Sequence, residues 1–279
     1  MSAIPRQVYF RTPRKTKPEA PLFVFLPGLD GTGELLRVQT EGLEPTFDIR
    51  CLAIPPTDMT GWDQLAEQVV ALIRTELEGE HHRPIYLCGE SFGGCLAMKV
   101  ALRSPQLFHR IILVNPASSF SRRPWMQWGS LTTQWLPEPL YQLSCYGLLP
   151  FLSSLGRIEA GDRRALIEAM RSVPQQASVW RLSLLREFHV TKMQLKRLTQ
   201  PVLLIGSRGD RLLPSVTEVN LLAQQLPNAK VLTLPDSGHA CLLESDINLY
   251  QLMQSVCFVQ DSQYTSPEST PSILTTARS

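Results

Sequence analysis

The sequence predicts an α/β fold in which a mainly parallel central sheet is flanked by helices, with a helical segment inserted after the strand ending near Asn115. Three observations carry this. Short runs of β-formers alternate with segments of helical period up to residue 116, and the alternation returns at residue 202. The stretch Leu87-Cys88-Gly89-Glu90-Ser91-Phe92-Gly93-Gly94-Cys95 sets glycines around a serine where a β-former run gives way to helix formers. Between 117 and 199 the alternation stops and the chain becomes helical and aromatic, with Trp125, Trp128, Trp135, Tyr141, Tyr146 and Phe151.

Residues 7–10 read as an edge strand and 22–26 as a buried one. The loop Pro27-Gly28-Leu29-Asp30-Gly31-Thr32-Gly33 follows, and 34–36 are expected to begin a helix. This loop lacks the lysine of a phosphate cradle, so service as half of an oxyanion hole fits it better. Residues 47–54 form the next strand, stopped by Pro55-Pro56. A helix over 62–77 then places Leu65, Val69, Leu72 and Ile73 on one face. His81 and His82 sit in a polar loop without a nearby carboxylate or cysteine and read as solvated surface rather than metal ligands. The strand over 84–88 leads into the serine turn, and 111–114 form a strand that ends at Asn115-Pro116. An amphipathic run covers 177–188. The sheet resumes at 202–205, a helix covers 219–226, a strand 231–234, and Asp246 is expected to cap a last helix over 247–256.

The expected organisation is a basic N-terminal segment over 1–20, a core over 21–116 and 200–258, a helical lid over 117–199, and a Ser/Thr/Pro-rich disordered tail over 260–279. At 279 residues the chain can bury the core of one large domain. A net charge of +2 without a long basic block gives no argument for a nucleic-acid partner. The six cysteines lack Cys-x-x-Cys spacing and mostly lie in apolar runs, so they read as reduced, buried thiols of a cytosol-like compartment. The first 21 residues have no apolar core of a secretory signal, and no run of about 18 apolar residues marks a membrane span.

Gly-x-Ser-x-Gly between a strand and a helix is the pattern of a nucleophile elbow, with Ser91 as the nucleophile. A serine hydroxyl needs a general base oriented by a carboxylate. His239 lies just beyond the C-terminal end of a strand, the edge where open parallel sheets gather their ligands, and Asp210 lies at the end of the preceding strand. His109 directly precedes a strand and His189 falls in the lid. The order Ser91, Asp210, His239 gives nucleophile, acid and base. Asp236 competes with Asp210 but shares a turn with His239, which ranks it lower. Glu90, beside the nucleophile, is placed to tune its electrostatics. The oxyanion donors expected are the backbone N–H groups of Leu29 and Phe92. No metal or cofactor is called for.

These residues resemble the α/β-hydrolase superfamily over about 20–258, which makes the expected fold an α/β-hydrolase fold. Leu26-Pro27-Gly28-Leu29-Asp30-Gly31-Thr32-Gly33, Phe47-Asp48-Ile49-Arg50-Cys51-Leu52-Ala53-Ile54-Pro55 and Gly89-Glu90-Ser91-Phe92-Gly93-Gly94 are similar, more narrowly, to the hydrolase-like half of the phytyl ester synthase/diacylglycerol acyltransferase (esterase/lipase/thioesterase) family of plastids and cyanobacteria. That resemblance implies an acyl-lipid substrate carried on Ser91. The acceptor it implies is water or an alcohol such as phytol or diacylglycerol. The plastid enzymes continue into an acyltransferase-like domain that these residues do not contain, so ester hydrolysis is the expectation and acyl transfer the alternative. A non-catalytic binding protein or scaffold on the same fold is the rival of another class. The Trp-rich lid is a candidate both for lining an acyl pocket and for peripheral contact with an internal membrane.

Overall fold

The computed structural model describes residues 7–78, 83–123, 133, 135–152 and 156–259. His81, His82, Trp125, Trp128 and the tail over 260–279 lie outside the described residues.

Among the described residues, seven strands form one sheet in the order β1-β3-β2-β4-β5-β6-β7. They are β1 (Tyr9–Arg11), β2 (Leu22–Leu26), β3 (Asp48–Ala53), β4 (Ile85–Glu90), β5 (Arg110–Val114), β6 (Val202–Ser207) and β7 (Ala229–Leu234). Of these seven, β1 at the edge runs antiparallel to its neighbour and the other pairings are parallel. The five strands β2 to β6 are apolar enough to be covered on both faces, and alternate residues serve opposite layers. Leu22, Val24, Leu26, Leu87, Leu113 and Leu204 face one apolar cluster, while Phe23, Phe25, Cys88, Ile112 and Ile205 face the other.

The chain leaves β2 for β3 on one side and then crosses to β4 on the other. Such a reversal opens a crevice at the C-terminal ends of the two adjacent strands. Helices α2 (Trp62–Glu76) and α3 (Phe92–Arg103) cover the first face. Between β5 and β6 stands the helical insertion, with α4 (Glu138–Leu152), α5 (Ala160–Arg171) and α6 (Gln175–Glu187), followed by the short α7 (Lys192–Leu195). Helix α6 docks on the core through Leu184, Leu185 and Phe188, and its Leu184 carbonyl accepts a 2.8 Å bond from the Trp62 indole N–H. Trp62 in turn stacks on Phe92, with ring centroids 4.7 Å apart.

Several expected boundaries move. Residues 34–36 form turns, and the helix there, α1 (Thr40–Leu43), is a single turn that starts later; Leu35 and Leu36 face two different apolar clusters instead. The helix after β6, α8 (Ser215–Ala223), begins four residues before position 219, directly after Pro214, and Asp210 accepts from the Leu213 N–H in the loop before it. The last helix, α9 (Leu249–Ser255), is capped by Asn248, whose side chain accepts from the Gln251 N–H, whereas Asp246 pairs with Arg157. Five cysteines are buried as expected, but Cys257 is exposed, on a residue with φ of 51°.

Candidate active site

Strand β4 ends at Glu90 and α3 begins at Phe92, leaving a single residue, Ser91, to make the turn. Its backbone sits at φ 55°, ψ −114°, a region that side chains rarely adopt. The glycines permit it by steric necessity. A Cβ on Gly89 would lie 2.2 Å from the Gly93 carbonyl oxygen, and one on Gly93 would lie 2.0 Å from the Leu26 oxygen. No side chain fits at either crossing, so β2, β4 and α3 meet backbone to backbone.

Ser91 Oγ lies 2.8 Å from His239 Nε2, and His239 Nδ1 lies 2.6 Å from Asp210 Oδ2. The three expected side chains therefore form one hydrogen-bonded chain. Asp210 is further fixed by the N–H groups of Leu212 (2.8 Å) and Leu213 (2.9 Å) and by the Ser215 hydroxyl. Burial would raise the Asp210 carboxyl, but the charge and hydrogen bond of His239 and the Ser215 and Leu213 donors hold it below its ordinary value. Burial likewise works against a charged His239. The Asp210 carboxylate, by charge and hydrogen bond, and Glu90, by charge, outweigh it and raise the imidazole above its ordinary value. Asp236 is exposed, His189 is exposed, and His109 accepts a bond from the Ile85 N–H at its Nδ1, so none of these joins the chain.

Phe92 N–H opens α3 immediately after the serine. Leu29 lies in a turn closed by the Gly31 N–H on the Gly28 carbonyl (3.0 Å), and a Cβ on Gly28 would stand 3.9 Å from Ser91 Cβ. Both expected donors thus belong to segments that adjoin Ser91. Glu90 is buried beside it. Burial pushes its carboxyl up to about 7, with His239 and the Leu242 N–H pulling it down and Asp30 pushing it further up. Its Oε1 has no hydrogen-bond partner among the described residues.

Two residues with structural weight here were not singled out from the sequence. Asn115, at the end of β5, is fully buried at φ 42°. It accepts from the Ser207 N–H (2.8 Å) and donates to the His239 carbonyl (2.7 Å) and to Ser207 Oγ (2.9 Å). It ties the ends of β5 and β6 to the histidine loop. Arg181, on α6, is 2% exposed and donates to the carbonyls of Leu29 (2.8 Å), Asp30 (3.0 Å) and Pro55 (2.9 Å). A signal for it exists: Ala177, Arg181, Leu184, Leu185 and Phe188 share one helical face, so the arginine stands in the apolar stripe.

The insertion's apolar residues divide. Tyr141 is buried, its hydroxyl bonded to the Val173 carbonyl and to Ser178, whereas Trp135, Tyr146, Leu148 and Phe151 are exposed. A cavity of about 340 Å³ lies along α6, lined by Met59, Gln175, Gln176, Val179, Trp180 and Ser183. Among the described residues no group of three His, Cys, Asp or Glu is placed to hold a metal ion, and no helix is long and apolar enough to cross a membrane.

This geometry, a serine at a strained strand-to-helix turn within a hydrolase-type sheet, agrees with the family comparison. The pattern of the alpha/beta hydrolase family matches residues 23–247, and the chain belongs to that family. It is 33% identical over 259 residues to phytyl ester synthase 1, chloroplastic, of Arabidopsis thaliana, an alignment that takes in 85% of this chain but 37% of the synthase. It is 27% identical over 186 residues to a pimeloyl-[acyl-carrier protein] methyl ester esterase of Nitrosomonas europaea, covering 63% of this chain and 71% of the esterase. Among solved structures, an esterase from Exiguobacterium antarcticum superposes with a TM-score of 0.75 at 14% identity, over 89% of this chain and 94% of the other; that likeness is one of fold.

Proposed function

We propose that this chain is a serine ester hydrolase that cleaves a hydrophobic or lipid acyl ester through a covalent acyl-enzyme on Ser91. The observation that carries the reading is the continuous chain from Ser91 Oγ through His239 to Asp210, at 2.8 and 2.6 Å. As the substrate carbonyl approaches, Ser91 Oγ bonds to its carbon while the hydroxyl proton passes to His239 Nε2. The carbonyl oxygen becomes an oxyanion facing the Leu29 and Phe92 N–H groups. Collapse breaks the bond to the alcohol, which leaves with the proton from His239. Water then attacks the acyl carbon and gives its proton to His239. That proton returns to Ser91 as the acyl–Oγ bond breaks, releasing the acid and the free enzyme. Asp210 holds the imidazole in the tautomer that can accept at Nε2.

A second reading has the similarity to phytyl ester synthase 1 behind it: an alcohol such as phytol or diacylglycerol takes the place of water, and an ester leaves instead of an acid. In both readings the segment over 117–199 acts as a lid beside the sheet's C-terminal edge, and the exposed Trp135, Tyr146, Leu148 and Phe151 supply its contact with an apolar substrate or an internal membrane surface. The small-molecule ester is the partner proposed. The test is labelling with a fluorophosphonate, expected in the wild type and lost in Ser91→Ala. It is joined by turnover across p-nitrophenyl esters of rising chain length and by incubation of a long-chain acyl donor with phytol. A wild-type protein that takes no label is a scaffold rather than an enzyme. A preference for the shortest chains sinks the lipid substrate, and free acid without phytyl ester sinks the transfer reading.

A further inference from the structure

We infer that Arg181 is a positioning residue for the oxyanion turn: the insertion reaches across the molecule to hold the Leu29 N–H in register with Ser91. The inference rests on the serine-hydrolase reading above. Its basis is where the guanidinium goes. Arg181 is among the largest fully buried side chains of the protein, and its bonds run to backbone carbonyls of two segments, the Gly28–Gly31 turn and the loop after β3. Its hydrogen bonds go to carbonyls rather than carboxylates; burial disfavours the cation, and Asp30, Asp58 and Tyr141 act on it by charge in the opposite sense. A buried cation hydrogen-bonded only to peptide carbonyls is a costly way to fill space. Leucine or methionine would pack the stripe between Ala177 and Leu184 without that cost.

The peptide geometry shows what the arginine does for the turn. In a trans peptide the C=O and N–H point in opposite directions. The Gly28 carbonyl is turned inward to the Gly31 N–H, so the Leu29 N–H of that same peptide is turned outward, on the segment that adjoins Ser91. One hydrogen bond leaves the peptide free to tilt about its axis. Arg181 Nη1 fixes the next two carbonyls, Leu29 and Asp30, and Nη2 fixes Pro55. The turn is then held from two sides and tied to the end of β3, where the Ile54 N–H already bonds the Gly31 carbonyl (2.7 Å). Gly31 is matched to the clamp. Its φ is 70°, and a Cβ there would come within 2.7 Å of Arg181 Nη1. Phe92 N–H comes with the elbow, but Leu29 N–H is in place only while α6 is docked. The insertion therefore completes the catalytic site as well as standing beside it.

The test compares wild type with Arg181→Lys, which keeps the charge but cannot span two segments, and with Arg181→Gln. The readouts are kcat per labelled site, KM, melting temperature and the dissociation constant of an alkyl boronic acid, which forms a tetrahedral adduct on the serine. A donor displaced from an oxyanion costs about 10²–10³ in kcat. Arg181→Lys is accordingly expected to lose at least about tenfold in kcat and to bind the boronate weaker by a similar factor, with KM changed less than about threefold. If Arg181→Gln does not fold, Arg181→Lys decides alone. A wild-type kcat and boronate affinity in Arg181→Lys overturns the inference, as does a change confined to KM or melting temperature, which marks a merely structural arginine. Failure of the wild type itself to take a fluorophosphonate is a different outcome, because it removes the hydrolase reading beneath.

Discussion

Replacing Asn115 by alanine tests the joint that holds the histidine loop to the sheet. The side chain is fully buried, and its amide serves the Ser207 N–H and the His239 carbonyl at 2.8 and 2.7 Å. Alanine leaves both backbone groups without their partner, at about 1–3 kcal/mol each. It also keeps a Cβ at φ 42° while losing asparagine's tolerance of that region, which adds about 1 kcal/mol. The expected destabilisation is roughly 3–7 kcal/mol, a large share of a total of about 5–15. Asn115→Gly loses the same bonds without the backbone strain, so it should be about 1 kcal/mol more stable than Asn115→Ala. Asn115→Asp keeps an acceptor for Ser207 but turns an anion towards the His239 carbonyl, and should be no better than alanine. Urea unfolding monitored by tryptophan fluorescence measures all three, with the midpoint moving at constant slope. A loss below about 1 kcal/mol for Asn115→Ala refutes the reasoning.

The strain at Ser91 predicts that Ser91→Gly is more stable than Ser91→Ala by about 1 kcal/mol or more, since both lose the bond to His239 and only glycine relaxes at φ 55°; differential scanning calorimetry of the two inactive variants reads this directly. Asp210→Asn should lower kcat by about 10⁴. The pair also sets pH dependence. His239 is active when neutral, so with its pKa raised above 6.5 by Asp210, activity climbs with pH through a limb above that value, and stopped-flow turnover of Asp210→Asn should show the residual limb displaced to lower pH. For stability the signs oppose. The raised His239 contributes fully below its ordinary 6.5 and is lost as pH rises through the folded value, whereas the lowered Asp210 contributes above its ordinary 3.8 and is lost as pH falls through its folded value. Between those two ordinary values both contributions are present, and thermal denaturation of wild type against Asp210→Asn should differ most there.

Much of this molecule could be read directly from its residues because the central strands are buried on both faces. Leu22–Leu26 and Arg110–Val114 are near-continuous apolar runs, and in such runs hydrophobicity, β-propensity and breakers all give the same answer. Ser91, Asp210 and His239 were legible for a topological reason: each follows the C-terminal end of a parallel strand. Boundaries failed where side chains serve tertiary partners. Leu35 and Leu36 are helix formers but fill two clusters from a turn, and Asp246 looks like a cap but is taken by Arg157. Strand β3 carries a buried charge network, Asp48 with Arg50 and Arg83 at 2.6 Å and Arg50 with Glu76 at 2.7 Å, in which Arg83 and Glu76 come from other segments. Arg181 was missed for the same reason: an arginine on an amphipathic helix is ordinarily solvated, and only the carbonyls of a loop some 150 positions away bury it.

Under the proposed function, those separations set when the protein can become active. The bond from His239 to Ser91 closes across 148 residues, and the bond from Arg181 to Leu29 across 152. Contacts of such span are late rewards of folding, because the chain entropy of closing them is lost before they repay it. The elbow itself needs β2, β4 and α3 to pack, all within the first 103 residues, but its base and acid arrive only after β6 and β7 have joined the sheet. On that reading, a chain emerging from synthesis carries an inert serine through most of its assembly. On the proposed mechanism, nucleophilicity switches on with the last strands, so a serine-directed label taken up during refolding is expected to report completion of the sheet rather than its beginning.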